Sequence, residues 1–535
     1  MNATGISGIR GLSPILAVVI ALVSVAVPAK TLRWASQGDT STVDPHAQNE
    51  SFTNAINGLV YEYLVSYDKA VNLTPQLAES WKNTSPTTWV FNLRKGVKFS
   101  DGTPFTADDV VFSYNRAVQS GATFKLYSNQ VGKPRKIDDY TVEFTQDAPN
   151  PVVPTVATNI FIMSKAWAEK NGATRPQDFK NKEETFSSRN AMGTGPYKLV
   201  SYQAGVKTVL EKNENWGGIK AGLFEGNVDR IDYRPISNQA TRMAALRSGE
   251  LDFVQDPPVQ DIPSLKRDPA LKVWEGSEFR FIMAGFDQAR DQLLYSDLKG
   301  RNPFKDRRVR LALYQAVDVK ALQTQVMRGM SIPTGIPLPS PKGAGVPPSY
   351  EKRYPYDVAA AKKLLADAGY PNGFSFTMHC PNDRYVNDEK ICIALAGMWA
   401  KVGVDVRVEA MPKTQYFQKV QKLDCSAFLL GWGGGNQDAL TTLKAVMHSR
   451  DDKGSGDGNY GDFRNADLDK YIDIVETEMD LAKRQEAINQ SIRILQDEVL
   501  VIPLHRQVIP WVSRAGMQVV HRANNTLQPF NVKMP

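Results

Sequence analysis

The chain has 535 residues, 42% of them hydrophobic and 23% charged, a globular composition in a length that asks for more than one domain. These proportions exclude a disordered chain and a small disulfide-held scaffold. The formal net charge of +7 arises from basic and acidic side chains interspersed along the sequence, which argues against the one-sided basic stripe of a nucleic-acid-binding surface.

In the first 29 residues Arg10 is the only charge, Ile15 to Val27 is apolar apart from Ser24, and Val27-Pro28-Ala29 supplies small residues at a cleavage point. That order predicts a secretory signal over 1–29 and a periplasmic mature protein. The competing reading, a membrane anchor, is disfavoured because thirteen apolar residues cover roughly 20 Å of a ~30 Å hydrocarbon core. No later run reaches eighteen apolar residues, so the mature chain is expected to be soluble.

Thr31 to Ser36 reads as a strand running into a polar loop, Gln37 to Thr42. Trp89 to Leu93 and Thr141 to Thr145 alternate as half-buried strands. Between them Asp101-Gly102 signals a turn, and Thr106 with Asp109 forms a short-armed capping box before a helix through Val118. Gly193-Thr-Gly-Pro-Tyr197 marks a tight turn into a strand reaching Tyr202, and Met243 to Ser248 a helix closed by Gly249. Ile332 to Pro348, rich in Pro and Gly, is expected to cross the surface as a loop.

The most regular stretch follows. Val358, Ala361, Leu365 and Ala368 share a helical face ended by Gly369, and Phe374 to Met378 is strand-like. Ile391, Leu395, Met398 and Val402 form a second stripe closed by Gly403; Val404, Val406 and Val408 alternate as a strand. A helix-like run from Thr414 to Leu423 then leads to the apolar Ala427 to Gly431. This β-α-β-α-β order predicts an α/β fold with a parallel sheet. Ligands bind beyond the carboxyl ends of such strands, so the segment leaving the last one, Gly431-Trp-Gly-Gly-Gly-Asn-Gln-Asp-Ala439, is the best pointer to a site. The three Cys allow at most one disulfide; Cys380–Cys392 is the preferred pair in an oxidising compartment, against three separate thiols.

Leu93-Arg-Lys-Gly-Val-Lys-Phe-Ser-Asp-Gly-Thr-Pro-Phe-Thr-Ala-Asp-Asp-Val-Val-Phe-Ser113 resembles the signature of family 5 extracellular solute-binding proteins, the peptide, nickel and opine receptors of ABC importers. Gly193 to Tyr197, Pro303-Phe-Lys-Asp-Arg-Arg-Val-Arg310 and Tyr356-Asp-Val-Ala-Ala-Ala-Lys-Lys-Leu-Leu365 match further blocks in order. The resemblance implies a two-lobed periplasmic binding protein (class II, cluster C type) with an additional domain and the ligand cleft between lobes. Lobe 1 would comprise 30–50, 190–280 and 505–535, the additional domain 51–189, and lobe 2 281–504. It also implies a monomer that hands a small-molecule ligand to an inner-membrane ABC permease, without cofactor, metal or nucleic acid.

In peptide-binding relatives an Asp after the Gly-Trp pair holds the peptide's amino group; the matching position here is Gly435. An Arg three residues before the Trp meets peptide carboxylates in some of them, and here that position is Leu429. Consecutive glycines expose N–H groups, and the following helix start adds partial positive charge. Gly433, Gly434, Gly435 and Asn436 are therefore expected to line an anion or polyol subsite, with Trp432 as an apolar face; the bland alternative is a flexible turn. Asp438 replaces the missing Asp only if the loop is rearranged. The Asp44-Pro-His46 triplet carries Asn49, Glu50 and Ser51 to the cleft by resemblance, or leaves them on a solvated helix start. Arg280, in an apolar run, meets a ligand anion or pairs with a nearby carboxylate.

The sequence has no His-Glu-x-x-His, no Gly-x-Ser-x-Gly elbow and no Walker lysine loop, and no two of its five His have metal-ligand spacing. An ABC-importer receptor that closes its lobes on a small polar solute, peptide-like or an opine or sugar-phosphate conjugate of the agrocinopine kind, is the leading reading. A conventional di- or oligopeptide receptor and a secreted α/β hydrolase are the competitors.

Overall fold

The computed structural model describes residues 29–535 apart from 70, 71, 180, 383, 434–436, 453 and the side chain of residue 414. The signal segment expected over 1–29 thus lies, but for its last residue, outside the described residues. Among the described residues no helix is long and apolar enough to cross a membrane.

One hydrogen-bonded sheet runs through both lobes. From one edge of the sheet to the other its strands are Val404–Met411, Phe374–Pro381, Ala427–Gly433, Leu271–Phe286, Ile502–Arg514, Phe253–Gln255, Thr31–Ser36, Arg230–Pro235, Lys207–Lys212 and Tyr197–Gln203. Two long strands at the centre, Leu271–Phe286 and Ile502–Arg514, pair antiparallel from Leu271↔Arg514 to Ala284↔Ile502 and carry the chain from one lobe to the other. Their register breaks between Ser277 and Phe281. A break of this kind releases ladder groups and re-aims side chains; here it turns Glu278, Phe279 and Arg280 into the cleft.

On either side of this pair lies a three-stranded parallel unit, joined to it antiparallel, and Lys207–Lys212 and Tyr197–Gln203 add an antiparallel edge beyond Arg230–Pro235. Thr31–Ser36 runs parallel to both Arg230–Pro235 and Phe253–Gln255, and Phe374–Pro381 parallel to both Val404–Met411 and Ala427–Gly433. The helices Asp388–Ala400 and Lys413–Gln421 connect the latter three strands, as the alternating pattern predicts. Gly369 and Gly403 take φ of 90° and 87° just past the two helices they follow, a conformation with no steric cost only for glycine.

Each lobe buries its own aromatic core. Trp34 packs edge-on against Tyr233 and Phe253, and Phe253 against Trp511. On the other side Phe286, Phe304, Phe376 and Trp399 form the centre. Residues 51–189 bring a separate antiparallel sheet, in the order Ala78–Ser85, Thr88–Leu93, Thr141–Thr145, Lys133–Asp138. The helix Ala107–Ala117 begins as its capping residues require, with the Asp109 carboxylate accepting from the Thr106 N–H at 2.9 Å.

The segment Ile332 to Pro348 departs from expectation. It begins in a short strand, Ser331–Pro333, paired with Ile502–Arg514, and Thr334, Ile336, Leu338 and Val346 are buried. Pro and Gly set its irregular backbone, but the apolar side chains between them are drawn into the core. The helix expected after Ala439 is regular only over Ala439–Thr442 and continues as a wider π turn, Leu443–Met447. Cys380 and Cys392 are joined in a disulfide, and Cys425 is a buried free thiol.

Candidate functional site

A cavity of about 880 Å³ lies between the lobes and is walled by both. Its position follows from the sheet. The carboxyl ends of the parallel strands of both lobes open onto it, so Ser36, Gln255 and Asp256 reach it from one side and Arg384, Tyr385 and Trp432 from the other. Asn49, Glu50, Ser51, Arg280, Trp432 and Gly433 all line it.

The helix Ser51–Val60 starts in this wall. Glu50 is its N-cap, its carboxylate accepting from the Thr53 N–H at 2.9 Å and from the Thr53 hydroxyl at 3.2 Å, while Asn49 accepts from Asn54 at 2.8 Å. Behind them the Asp44-Pro-His triplet is a buried anchor. Both Asp44 oxygens accept from Arg116, at 2.8 and 2.6 Å, and Ser187 donates at 2.7 Å. His46 meets the Phe161 carbonyl at 2.9 Å and Arg116 at 3.1 Å. Burial alone would raise the Asp44 pKa, but the Arg116 charge, with His46 and Ser187, holds it down to about 2. This lock ties the loop that delivers Asn49 to Ser51 to the helix Ala107–Ala117.

On the opposite wall Arg280 is almost fully buried and donates from Nε to Glu278 at 3.1 Å. Glu278 also accepts from Gln507 at 2.7 Å. Burial opposes the Arg280 charge, and the attraction of Glu278, with Tyr385 and Glu50, more than offsets it, so its pKa is raised. The carboxylate pairing left open by the sequence is therefore present, in the cavity wall itself. Tyr385 lies between two cations, with the Arg280 guanidinium 5.9 Å and that of Arg384 5.2 Å from its ring centroid. Gly431 makes room for it, since a Cβ there would come within 2.6 Å of the Tyr385 ring. Arg384 makes no side-chain hydrogen bond or ion pair among the described residues; burial first, then the Arg280 charge, lowers its pKa.

Trp432 pairs with Phe281, and Gly433 with Arg280, in register. The Trp432 Nε1 is buried with no acceptor among the described residues. Gly434, Gly435 and Asn436, the centre of the expected anion subsite, lie outside the described residues. Asp438 does not line the cavity. It is the N-cap of Ala439–Thr442 and its carboxylate takes two hydrogen bonds from Arg484, at 3.0 and 2.8 Å, so it is engaged within the second lobe. Leu429 is fully buried in the second lobe's core.

Arg384, Tyr385, Asp256 and Glu278 were not singled out from the sequence as site residues. The signal for Arg384 was present: it follows the carboxyl end of a parallel strand, the same rule that pointed to Trp432.

The family model for bacterial extracellular solute-binding proteins, family 5 (middle), matches residues 72–454. Heme-binding protein A of Haemophilus influenzae is 28% identical over 484 residues, covering 85% of this chain and 83% of the relative. The glutathione-binding protein GsiB of Shigella dysenteriae is 29% identical over 450 residues, covering 81% of each. Among solved structures, the periplasmic binding protein AgaA in complex with agropinic acid from A. tumefaciens R10 superposes with a TM-score of 0.75 at 22% identity, over 94% of this chain and 96% of that one. By its sequence and its two-lobed α/β architecture, the chain belongs to the family 5 bacterial extracellular solute-binding proteins.

Proposed function

We propose that this protein is the receptor of an ABC importer that captures a small polar solute bearing an anionic group between its lobes and delivers it, unaltered, to an inner-membrane permease. The observation that carries the reading is Arg384, a guanidinium in the cavity wall with no side-chain hydrogen bond or ion pair among the described residues, beside Arg280. A half-buried cation left in that state gains most from a ligand anion, because a charge-assisted bond replaces lost hydration. Tyr385 and Trp432 add apolar faces, and the Trp432 Nε1, without an acceptor among the described residues, a donor. Capture of this kind needs closure and hydrogen bonding, with no covalent step.

The lobes that close are taken as 30–50, 190–280 and 505–535 against 281–504, with 51–189 as the additional domain. Among ligand classes, peptide-like and opine conjugates fit best: relatives include a glutathione-binding protein and an agropinic acid complex, and both solutes carry carboxylates. Gly433, at the end of its strand, extends the anion-receiving wall in this reading.

A thermal-shift panel of glutathione, dipeptides and opines tests it. A true ligand raises the melting temperature in proportion to ln(1 + [L]/Kd) and is recovered chemically intact. Arg384→Met should weaken its binding by one to two orders of magnitude, from about 1.5–3 kcal/mol for a bond to a charged group, with the unliganded melting temperature unchanged. Turnover of the ligand, or full affinity in Arg384→Met, would sink the proposal.

A further inference from the structure

The first-lobe wall carries a feature of opposite chemistry. Ser36 ends one parallel strand and Gln255 ends its neighbour, and Asp256 follows directly. Asp256 holds φ of 59°, a left-handed conformation uncommon for a side-chain-bearing residue. Its carbonyl accepts from Arg242 at 2.9 Å, which fixes the turn. Its carboxylate accepts from the Ser36 hydroxyl at 2.7 Å through Oδ2, and Oδ1 has no hydrogen-bond partner among the described residues.

Gln255 beside it is 2% exposed and lines the same cavity. Its Nε2 donates to the Asn525 carbonyl at 2.7 Å and to Asn525 Oδ1 at 2.9 Å. Two acceptors on that side fix the amide orientation, because the flipped amide would set oxygen against oxygen. Gln255 Oε1 is thereby left a buried acceptor with no donor among the described residues. The other carboxylates of the wall are occupied: Glu278 by Arg280 and Gln507, Glu50 by Thr53. The Arg242 guanidinium near Asp256 spends its Nη groups on the carbonyls of Ile236, Ser237 and Asp256.

We propose that Asp256, with Ser36 and Gln255 beside it, forms a subsite for a cationic nitrogen of the ligand. This rests on the proposed function and deepens it: the solute is a zwitterion, its anion held on the second lobe by Arg384 and its ammonium on the first by Asp256. The open Asp256 Oδ1 is an acceptor that an N–H-bearing cation satisfies and no anion does, and Gln255 next to it in sequence adds a second acceptor, not a competing donor, to this part of the wall. The division of charge also gives closure a purpose, since neither lobe alone completes the site. Burial raises the Asp256 pKa, in keeping with a carboxylate whose counter-ion arrives with the ligand.

Titration calorimetry on the full mature chain tests this with matched probes: glutathione and N-glutaryl-cysteinylglycine, which lacks its amino group, and alanyl-alanine and propionyl-alanine. Asp256→Asn keeps the backbone, because Asn tolerates the left-handed region, and removes only the charge. The expected result is that an amine-bearing probe loses at least tenfold in affinity in Asp256→Asn, while its des-amino partner binds both proteins equally and weakly. Ser36→Ala, which leaves the Asp256 turn intact, should lower the same affinity by a smaller factor. Equal binding of a probe and its des-amino partner to wild type overturns the inference, as does unchanged affinity in Asp256→Asn or failure of every amine-bearing probe to bind. Loss in Arg384→Met without loss in Asp256→Asn removes this inference and leaves the anion-receiving function standing; loss in neither removes both.

Discussion

Cys380 and Cys392 are disulfide-bonded, and the segment their bond closes carries Arg384, Tyr385, Val386 and Asn387 into the cavity wall. Cys380 belongs to the strand Phe374–Pro381 and Cys392 to the helix Asp388–Ala400, so the bond fixes the strand-to-helix turn from which the arginine projects. Asp388 adds to this by accepting from the N–H groups of Arg384 and Tyr385, each at 2.9 Å.

Reduction of this bond, or Cys380→Ser with Cys392→Ser, should therefore act on affinity as well as on stability. For a loop of this size the loss in stability is on the order of 3 kcal/mol. Ligand affinity should fall about tenfold, and amide exchange should quicken over 382–391. Exchange that stays slow there after reduction would show that packing alone holds the turn.

Arg280 and Arg384 should separate on mutation. Arg280→Met leaves Glu278 buried with Gln507 as its remaining partner, a loss on the order of 3 kcal/mol for a broken buried pair, so urea unfolding should shift and affinity fall together. Arg384→Met should lower affinity and leave the unfolding midpoint in place. A common effect of both on stability would show that Arg384 is structural.

Arg116→Met tests the buried lock behind the cleft. Both partners of the Arg116–Asp44 pair are fully buried, and removing the cation leaves a carboxylate without its charge partner, at a cost of about 3–5 kcal/mol. Denaturant unfolding should report that loss, and Asp44→Asn with Arg116→Met should recover part of it.

Stability should fall on mild acidification. Burial first, with the Arg116 charge for His46, Lys419 for His379 and Arg353 for His505, lowers these imidazoles from 6.5 to about 4, 4 and 3. Each takes up its proton more readily in the unfolded chain. Their contribution is thus complete above pH 6.5 and is lost progressively as pH drops toward the folded values. Melting temperature should decline between pH 7 and 5, where Asp44 is still ionised, and less steeply in His505→Leu. A flat profile over that interval would falsify this assignment.

The local periodicities of the chain determined most of its elements. Helix ends at Gly249, Gly369 and Gly403, the capping residues Thr106 and Asp109, and the β-α-β-α-β run from Phe374 to Gly431 are all encoded within a few residues of where they act. Side-chain pattern and backbone sterics decide such features before any distant contact forms. The position of the cavity between the lobes was legible for the same reason, since strand order fixes which end of a parallel sheet opens to it.

Charge partners were decided only by the tertiary structure. Nothing near Asp438 in the sequence announces Arg484, 46 residues on, and nothing near Asp44 announces Arg116, 72 residues on. Whether a carboxylate or a guanidinium serves the fold or the ligand depends on what the folded chain leaves within about 3 Å of it. That is how Asp438 became a helix cap while Asp256 and Arg384 kept open valences in the cleft among the described residues.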